Sequence, residues 1–254
     1  MEDLPAPRLP VLPRVDPAPE IARLAARYKR ANGPVMTAVN RLGGSLEAQM
    51  AVIPLPLRNQ IERVTARALE TAYGLAGRGP DLGERGPFLA AVAAGAAGGA
   101  GGLATSVAEL PVTITLILQA IRAAAVEAGY DPAENWVRAE CLKVFGAGTP
   151  LAADDGINTS FLSARLTITG AGVQKIIGVV APKLAAALGQ KLMAQAVPVL
   201  GALTGAALNA AFLSYYCEVA RIRFALMRLA EVHGAEPVLA AFSKAVAVPK
   251  IAKV

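Results

Sequence analysis

The stretch 87–108 has the sequence PFLAAVAAGAAGGAGGLATSVA, and the stretch 192–217 has the sequence LMAQAVPVLGALTGAALNAAFLSYYC. Both are uncharged and exceed the length of about 20 residues that a membrane-spanning helix needs. Both are rich in Ala and Gly, however, whereas membrane insertion is driven mainly by Leu, Ile, Phe and Val. Small residues four positions apart let helix backbones approach closely, and three such spacings occur: Gly95-x-x-x-Gly99, Gly98-x-x-x-Gly102 and Gly201-x-x-x-Gly205. We therefore predict tightly packed helices that suit contact with a membrane but are not convincing membrane spans.

The hydrophobic periodicity is helical along the chain, and no convincing strand alternation is present. We predict an all-α protein, a multi-helix bundle whose long Ala/Gly-rich apolar helices pack through small residues. One helix is predicted to begin near 107–110. Ser106-x-x-Glu109 has the spacing of a capping box, and Pro111 suits a first helical turn. The predicted helices occupy about 20–32, 34–42, 57–76, 107–128, 132–145, 157–180, 183–196, 199–233 and 237–247.

Composition and the ends of the chain predict the domain organisation. Of the 254 residues, 54% are hydrophobic and 17% are charged, compared with about 45–50% and about 25% in ordinary globular domains. Residues 1–19 are rich in Pro and are predicted to be a disordered tail. A single helical domain is expected over 20–247, followed by a basic and apolar tail at 248–254. Since the start has no apolar core, no secretory signal is predicted.

Positive charge is concentrated in the last part of the chain. The net charge is +6, and residues 157–254 carry 10 basic against 3 acidic side chains. Such a region is attracted to anionic lipid headgroups, and its candidate headgroup ligands are Arg221, Arg223, Arg228, Lys244, Lys250 and Lys253. No nucleic-acid motif is present, and aromatic residues make up only 5% of the chain, so nucleic acid is not an expected partner. We expect a cytoplasmic protein at the inner face of the membrane.

Three polar residues are candidates for a buried site, because they lie in strongly apolar surroundings: Glu109, Arg122 and Asn209. The simplest interpretation is that Glu109 caps a helix and that Asn209 bonds a neighbouring backbone group. The functional alternative is a polar patch that lines a lipid headgroup pocket, together with Arg122 or Arg228.

The usual signatures of catalysis and cofactor binding are missing from the sequence. The single histidine, His233, precedes a glycine at a predicted helix end, where it suits the helix dipole. No metal-binding motif occurs, and the glycine-rich run 95–102 lacks the Lys and Ser/Thr of a phosphate loop. Two cysteines, Cys141 and Cys217, are too few for a disulfide framework. We predict no metal and no cofactor, and an enzyme is not the favoured class.

Several motifs occur in a fixed order along the chain: Ala97–Thr105, Glu109–Thr113, Arg122, Gly129–Asp131, Ala196–Asn209 and Phe224–Leu229. In this combination the chain resembles the bacterial EcsC family over about residues 35–240. The family takes its name from a gene beside an ABC transporter, so the resemblance implies an accessory role near such a transporter. A peptidase-like role has also been suggested for the family. The acidic position of the Leu-Pro motif is usually Asp in the family and is Glu109 here, which keeps the charge.

Charge, composition and resemblance together predict a membrane-associated accessory protein that binds anionic lipid and serves a transporter or envelope process. Its expected partners are an anionic membrane, an ABC transporter or other membrane protein, and a second copy of the chain. One alternative is a hydrolase of lipid or peptide with a buried acidic site at Glu109. Another is an integral membrane protein with helical hairpins.

Overall fold

A computed structural model describes residues 16–31, 53–74, 86–100, 103–146, 170–194 and 198–246. Within these ranges the chain forms eight α-helices and no strand, so the predicted all-α bundle is confirmed. The helices are α1 (Ala18–Ala31), α2 (Leu55–Gly74), α3 (Gly86–Ala100), α4 (Leu103–Glu127), α5 (Asn135–Val144), α6 (Gly170–Ala194), α7 (Pro198–His233) and α8 (Ala235–Val246).

The centre of the molecule consists of α3, α4 and α7, which pack closely on one another. Helix α7 is 36 residues long, and α1 and α8 pack against its second half. There, Arg27 of α1 forms an ion pair with Glu218 at 2.6 Å, and the rings of Tyr28 and Phe242 lie 6.2 Å apart. Helix α2 packs against α4 and α6, and α5 contacts α4, α6 and α7. The N-terminal half of α7 packs against α3 and α4.

Helix α4 supplies the apolar stripe that the core is built around. Its residues Leu110, Ile114, Ile117 and Ile121 follow the three- and four-residue spacing of one helix face, and each is at most 1% exposed. The segment 110–121 is apolar on almost every face, a pattern that indicates either burial or lipid contact. This stripe is buried, whereas Val112 on the other side of the helix is 50% exposed.

Most helix positions agree with the sequence predictions. The helices predicted at about 20–32, 57–76, 132–145, 199–233 and 237–247 correspond to α1, α2, α5, α7 and α8. The helix predicted at 34–42 lies outside the described residues, as do residues 1–15 and the C-terminal tail. Helix α1 begins at Ala18, within the predicted tail. The division into tails and one domain otherwise stays a prediction.

The predicted start of α4 is wrong. The helix begins at Leu103 instead of 107–110, and Pro111 lies inside it. The Ser106 hydroxyl donates to the Gly98 carbonyl at 2.9 Å, and the Thr105 hydroxyl donates to the same oxygen at 2.7 Å. Because Ser106 bonds across to α3, it does not cap α4, and Glu109 lies in the helix interior.

The predicted break between 180 and 183 is also wrong, because α6 runs continuously from Gly170 to Ala194 with Pro182 inside it. A proline inside a helix removes the bond to the carbonyl four residues earlier, here that of Gly178. Both residues lie on the exposed side of α6, where water can bond that carbonyl. The cost of the proline is lower there than in a packed core.

Candidate functional site

Four polar side chains from three helices lie together in the interior. Glu109 and Thr113 come from α4, Lys191 from α6 and Asn209 from α7. Their exposed fractions are 8%, 1%, 0% and 0%, respectively. We call these four residues the polar quartet. Burial of charged and amide groups is costly unless they form hydrogen bonds or ion pairs with one another.

The Glu109 carboxylate is the shared acceptor of the polar quartet. Its Oε1 atom accepts hydrogen bonds from Thr113 Oγ1 at 2.5 Å and from Asn209 Nδ2 at 2.5 Å. Lys191 Nζ donates to Oε1 at 3.1 Å and to Oε2 at 3.3 Å. Asn209 Nδ2 also lies 2.9 Å from the carbonyl oxygen of Ala91 in α3. The quartet therefore links all four helices α3, α4, α6 and α7.

Two glycines of α3 make room for this arrangement. A Cβ atom on Gly98 would lie 2.2 Å from Glu109 Oε2. A Cβ atom on Gly95 would lie 2.3 Å from the carbonyl oxygen of Gly205 in α7 and 2.8 Å from Asn209 Nδ2. The predicted close packing through small residues thus occurs within one chain at Gly95 and Gly205.

Burial dominates the electrostatics of Lys191. Its pKa is lowered from the ordinary value because loss of water disfavours the ammonium form, while the Glu109 carboxylate acts in the opposite direction. The ion pair compensates part of the desolvation, and the bonds from Thr113 and Asn209 satisfy further lone pairs of the carboxylate.

The chemistry open to the polar quartet is limited by its enclosure. A general acid or base must come within hydrogen-bond reach of a substrate, but Glu109 is only 8% exposed and Lys191 is fully buried. The arrangement holds four helices in a fixed register. The alternative of a hydrolase with Glu109 as its acidic group stays a prediction, and this burial does not favour it.

The structure brings Glu109 and Asn209 together, as the predicted polar patch required, but with different partners. Arg122 lies instead near Cys141 of α5, and Arg228 pairs with Glu231 at 2.9 Å. The interpretation that Asn209 bonds a backbone group holds, whereas Glu109 is not a cap. Sequence reasoning missed Lys191.

The basic headgroup candidates of the described chain are mostly paired with carboxylates. Arg221 binds Glu127 at 2.8 Å, and Arg228 binds Glu231. Arg223 is only 2% exposed and pairs with Glu140, a position that does not favour contact with a headgroup. Lys244 is exposed on α8. The remaining candidates, Lys250 and Lys253, lie outside the described residues.

The outer side of α3 and the first part of α4 carries no charge. We call its exposed residues the hairpin surface: Phe88, Leu89, Ala93, Ala97, Ala100, Thr105, Ala108, Pro111 and Val112. Three of them are large apolar side chains, with Phe88 44%, Leu89 63% and Val112 50% exposed. In α2, by comparison, the exposed side includes Glu62 and Arg63. Surface helices normally place charged residues on their outer face.

Within the described ranges, two helical segments are long and apolar enough to cross a membrane: Thr105–Glu127 and Gly172–Gly189. They differ from the two stretches that the sequence suggested. The rest of the protein buries 61% of the first apolar window and 50% of the second. A core helix of a soluble protein meets the same criteria, so these segments alone do not place the chain in a bilayer.

Other candidate sites have little support. No group of three or more His, Cys, Asp or Glu residues that could hold a metal ion occurs in the described part of the chain. His233 is the last residue of α7 and precedes Gly234, whose φ of +88° ends the helix in the left-handed region. The two cysteines are free thiols.

Comparison with protein families identifies the chain as a helical protein of a known sequence family. The model of the EcsC protein family matches residues 56–229, so the chain belongs to this family. The match spans helices α2–α6 and most of α7, and it includes all four residues of the polar quartet. Searches of curated proteins and of solved structures found no match.

Proposed function

We propose that the protein is a membrane-associated accessory protein that attaches to anionic bilayers through the hairpin surface. The observation that carries this proposal is the absence of charge among the exposed residues of α3 and the first part of α4. Contiguous exposed apolar surface typically marks contact with a membrane or a protein.

The apolar part of the contact has a modest strength. Full burial of a Phe, Leu or Val side chain stabilises by about 1.5–3 kcal/mol, and roughly half of each of Phe88, Leu89 and Val112 is available, so together they contribute about 3 kcal/mol. A contact of this size is reversible, and stable anchoring requires a second attraction.

Positive charge supplies the second attraction. The net charge of the chain is +6. Lys175 and Lys183 on α6 and Lys244 on α8 are exposed, and no carboxylate among the described residues pairs with them. Each basic residue near an anionic surface contributes about 1 kcal/mol at low salt. Peripheral binding at the inner face of the membrane, beside a transporter or envelope assembly, is the proposed setting.

Vesicle sedimentation tests the proposal. The full-length protein is incubated with neutral phosphatidylcholine vesicles and with vesicles containing phosphatidylglycerol, each at low and high salt. We expect strong binding to the anionic vesicles that high salt weakens but does not abolish. Leu89→Asp should bind about tenfold or more weakly, because it removes apolar burial and adds a charge at the contact.

The matched control is Val232→Asp, which introduces the same charge at a side chain that is 59% exposed on α7, outside the hairpin surface. Its binding should stay close to that of the original chain. Equal binding by Leu89→Asp and Val232→Asp would exclude the hairpin surface as the contact. Absence of binding by the original chain to either vesicle would reject the proposal as a whole. Resistance to carbonate extraction from native membranes would favour the integral alternative.

A further inference from the structure

The helices α1 and α8 pack side by side, although they stand at opposite ends of the sequence. The rings of Tyr28 and Phe242 lie 6.2 Å apart, and both side chains are buried. Arg27 bonds the Glu218 carboxylate of α7 through two nitrogens, Nε at 2.6 Å and Nη2 at 2.8 Å. These contacts fix α1 on α7 and α8, so the outer faces of α1 and α8 form one surface.

Helix α1 is a basic amphipathic helix. Its buried residues are apolar: Ile21, Leu24, Ala25 and Tyr28. From residue 21 to its end, the helix holds four basic residues and no acidic one. Two of the basic residues, Arg23 and Arg27, pair with glutamates. The other two, Lys29 and Arg30, are exposed, and no carboxylate of the described chain pairs with them.

The end of α8 adds positive charge to the same surface. Helix α8 follows α7 after the single residue Gly234 and packs against α7, so it runs back along that helix. Residues 237–246 include no acidic residue, and Lys244 is exposed without a carboxylate partner among the described residues. Lys244 comes two residues after Phe242, which contacts Tyr28. The ring contact therefore brings the basic ends of α1 and α8 to the same part of the molecule.

We propose that Lys29, Arg30 and Lys244 together bind the anionic headgroups of a bilayer, and we call these three residues the terminal basic surface. Clustered Lys and Arg residues on amphipathic helices are attracted to anionic lipid. A bilayer fits better than nucleic acid, since the outer faces of α1 and α8 expose no aromatic side chain on which bases could stack. This inference rests on the proposed membrane attachment, and it assigns part of the electrostatic attraction to the N-terminal helix.

A purely structural role for the same three residues predicts a different result. Basic residues in the last turn of a helix stabilise that helix through its dipole, and Lys29, Arg30 and Lys244 all lie in last turns. Their removal would then change the free energy of unfolding and leave vesicle binding unchanged. Headgroup binding predicts a loss of affinity that depends on lipid charge and on salt.

Sedimentation of the full-length protein with phosphatidylglycerol vesicles at low salt tests the inference. We expect the double variant Lys29→Gln, Arg30→Gln to bind about tenfold or more weakly, because two attractive charges are lost. Addition of Lys244→Gln should weaken binding further. The matched control is Arg63→Gln, Arg67→Gln, which removes two exposed charges from α2 and should bind like the original chain.

A charge-conserving variant shows whether charge is the cause. Lys29→Arg, Arg30→Lys keeps both positive charges and should bind like the original chain. Circular dichroism should show the same helix content in all variants. Equal binding by Lys29→Gln, Arg30→Gln and by the α2 control would overturn the inference. A loss of binding that persists in high salt would also overturn it, because salt screens exposed charges.

The hairpin surface is tested separately by Leu89→Asp, which leaves the terminal basic surface intact. Normal binding by Leu89→Asp, with weak binding by Lys29→Gln, Arg30→Gln, would reject the hairpin surface and support the terminal basic surface. Absence of vesicle binding by the original chain would reject both. Binding of a DNA duplex by a chain that does not bind vesicles, lost in Lys29→Gln, Arg30→Gln, would assign the surface to nucleic acid and overturn the inference.

Discussion

Lys191 and Glu109 depend on each other, because each is a charged group that has lost its contact with water. Replacing Lys191 by Met leaves the Glu109 carboxylate buried without its cation. We expect Lys191→Met to lower the free energy of unfolding by about 3–5 kcal/mol, the usual cost of breaking a buried pair from one side. Urea unfolding followed by circular dichroism measures this change.

Two further variants decide whether the ion pair is the cause. Lys183→Met removes an exposed lysine from the same helix, and the free energy of unfolding should change by no more than about 0.5 kcal/mol. The double variant Glu109→Gln, Lys191→Met should be more stable than Lys191→Met alone, because it leaves no buried charge. Additive effects of the two substitutions would contradict the coupling.

Cys141 gives the free energy of unfolding a predictable pH dependence. Its thiol has an ordinary pKa of 9.0 in the unfolded chain and a pKa of about 12 in the folded one. Between these values the unfolded chain has lost a proton that the folded chain keeps. The free energy of unfolding should therefore fall as pH rises above about 9, by at most about 1.4 kcal/mol per pH unit for this thiol.

The measurement is a series of urea unfolding curves between pH 8 and 10.5. Cys141→Ala should show a shallower fall, because the other titrating groups are common to both chains. Parallel pH profiles for the two proteins would show that Cys141 does not contribute.

Some residues of the polar quartet could be predicted from the sequence as buried polar groups, and others could not. Glu109 and Asn209 were identifiable because each is a lone polar residue in an apolar stretch. Lys191 was counted with the basic excess of residues 157–254, which favours the surface. Lys191 follows Leu184 by seven residues and Leu188 by three, which places it on the same, buried face of α6. This spacing could have identified Lys191 as buried from the sequence alone. Which helices meet around Glu109 depends on tertiary packing.

At the level of helices, the contact between α3 and α7 depends on the absence of a side chain at Gly95. Replacement of glycine by alanine in an exposed helix normally stabilises by about 0.5–1 kcal/mol. At Gly95 the added carbon would meet the Gly205 carbonyl, a backbone atom that cannot rotate away. We expect Gly95→Ala to destabilise by about 1–3 kcal/mol or more, because the two helices must separate. Thermal and urea unfolding measure this.

Gly178 provides the matched control for this prediction. It lies in α6, and a Cβ atom there meets nothing within 4 Å. Gly178→Ala should follow the intrinsic preference of helices and raise the free energy of unfolding. A gain from both substitutions would mean that α3 and α7 are not packed as closely as the glycine contact requires.

Helices with a clear amphipathic pattern were predictable, and helix boundaries inside apolar segments were not. In α1, Ile21, Leu24 and Tyr28 mark one buried face, and the prediction located this helix to within two residues at its start. The start of α4 was misplaced because the capping-box spacing suggested a local bond where Ser106 bonds α3 instead. The break predicted between 180 and 183 is absent because Pro182 lies on the exposed side of α6, where water can bond the carbonyl that the proline leaves free. Which side of α6 faces water depends on tertiary packing.

At the scale of the whole molecule, the proposed membrane attachment combines an apolar and a basic contribution, and different residues supply the two. The hairpin surface is uncharged, while three of the basic candidates, Arg221, Arg223 and Arg228, are paired with carboxylates. Composition predicted an apolar and a basic contribution. Their separation was not predictable, because ion pairs across helices are visible only once the helices are packed.

Deletion of residues 248–254 tests how the two contributions combine. The segment contains Lys250 and Lys253, and two lysines near an anionic surface contribute about 2 kcal/mol at low salt, a factor of about 30 in affinity. We expect the deletion to weaken binding to phosphatidylglycerol vesicles by up to this factor and to leave binding to neutral vesicles unchanged. Leu89→Asp should weaken both, since apolar burial does not depend on lipid charge. High salt should remove the difference between the deleted and full-length chains, because it screens exposed charges. A difference that persists in high salt would mean that the tail acts through its apolar residues and not through its lysines.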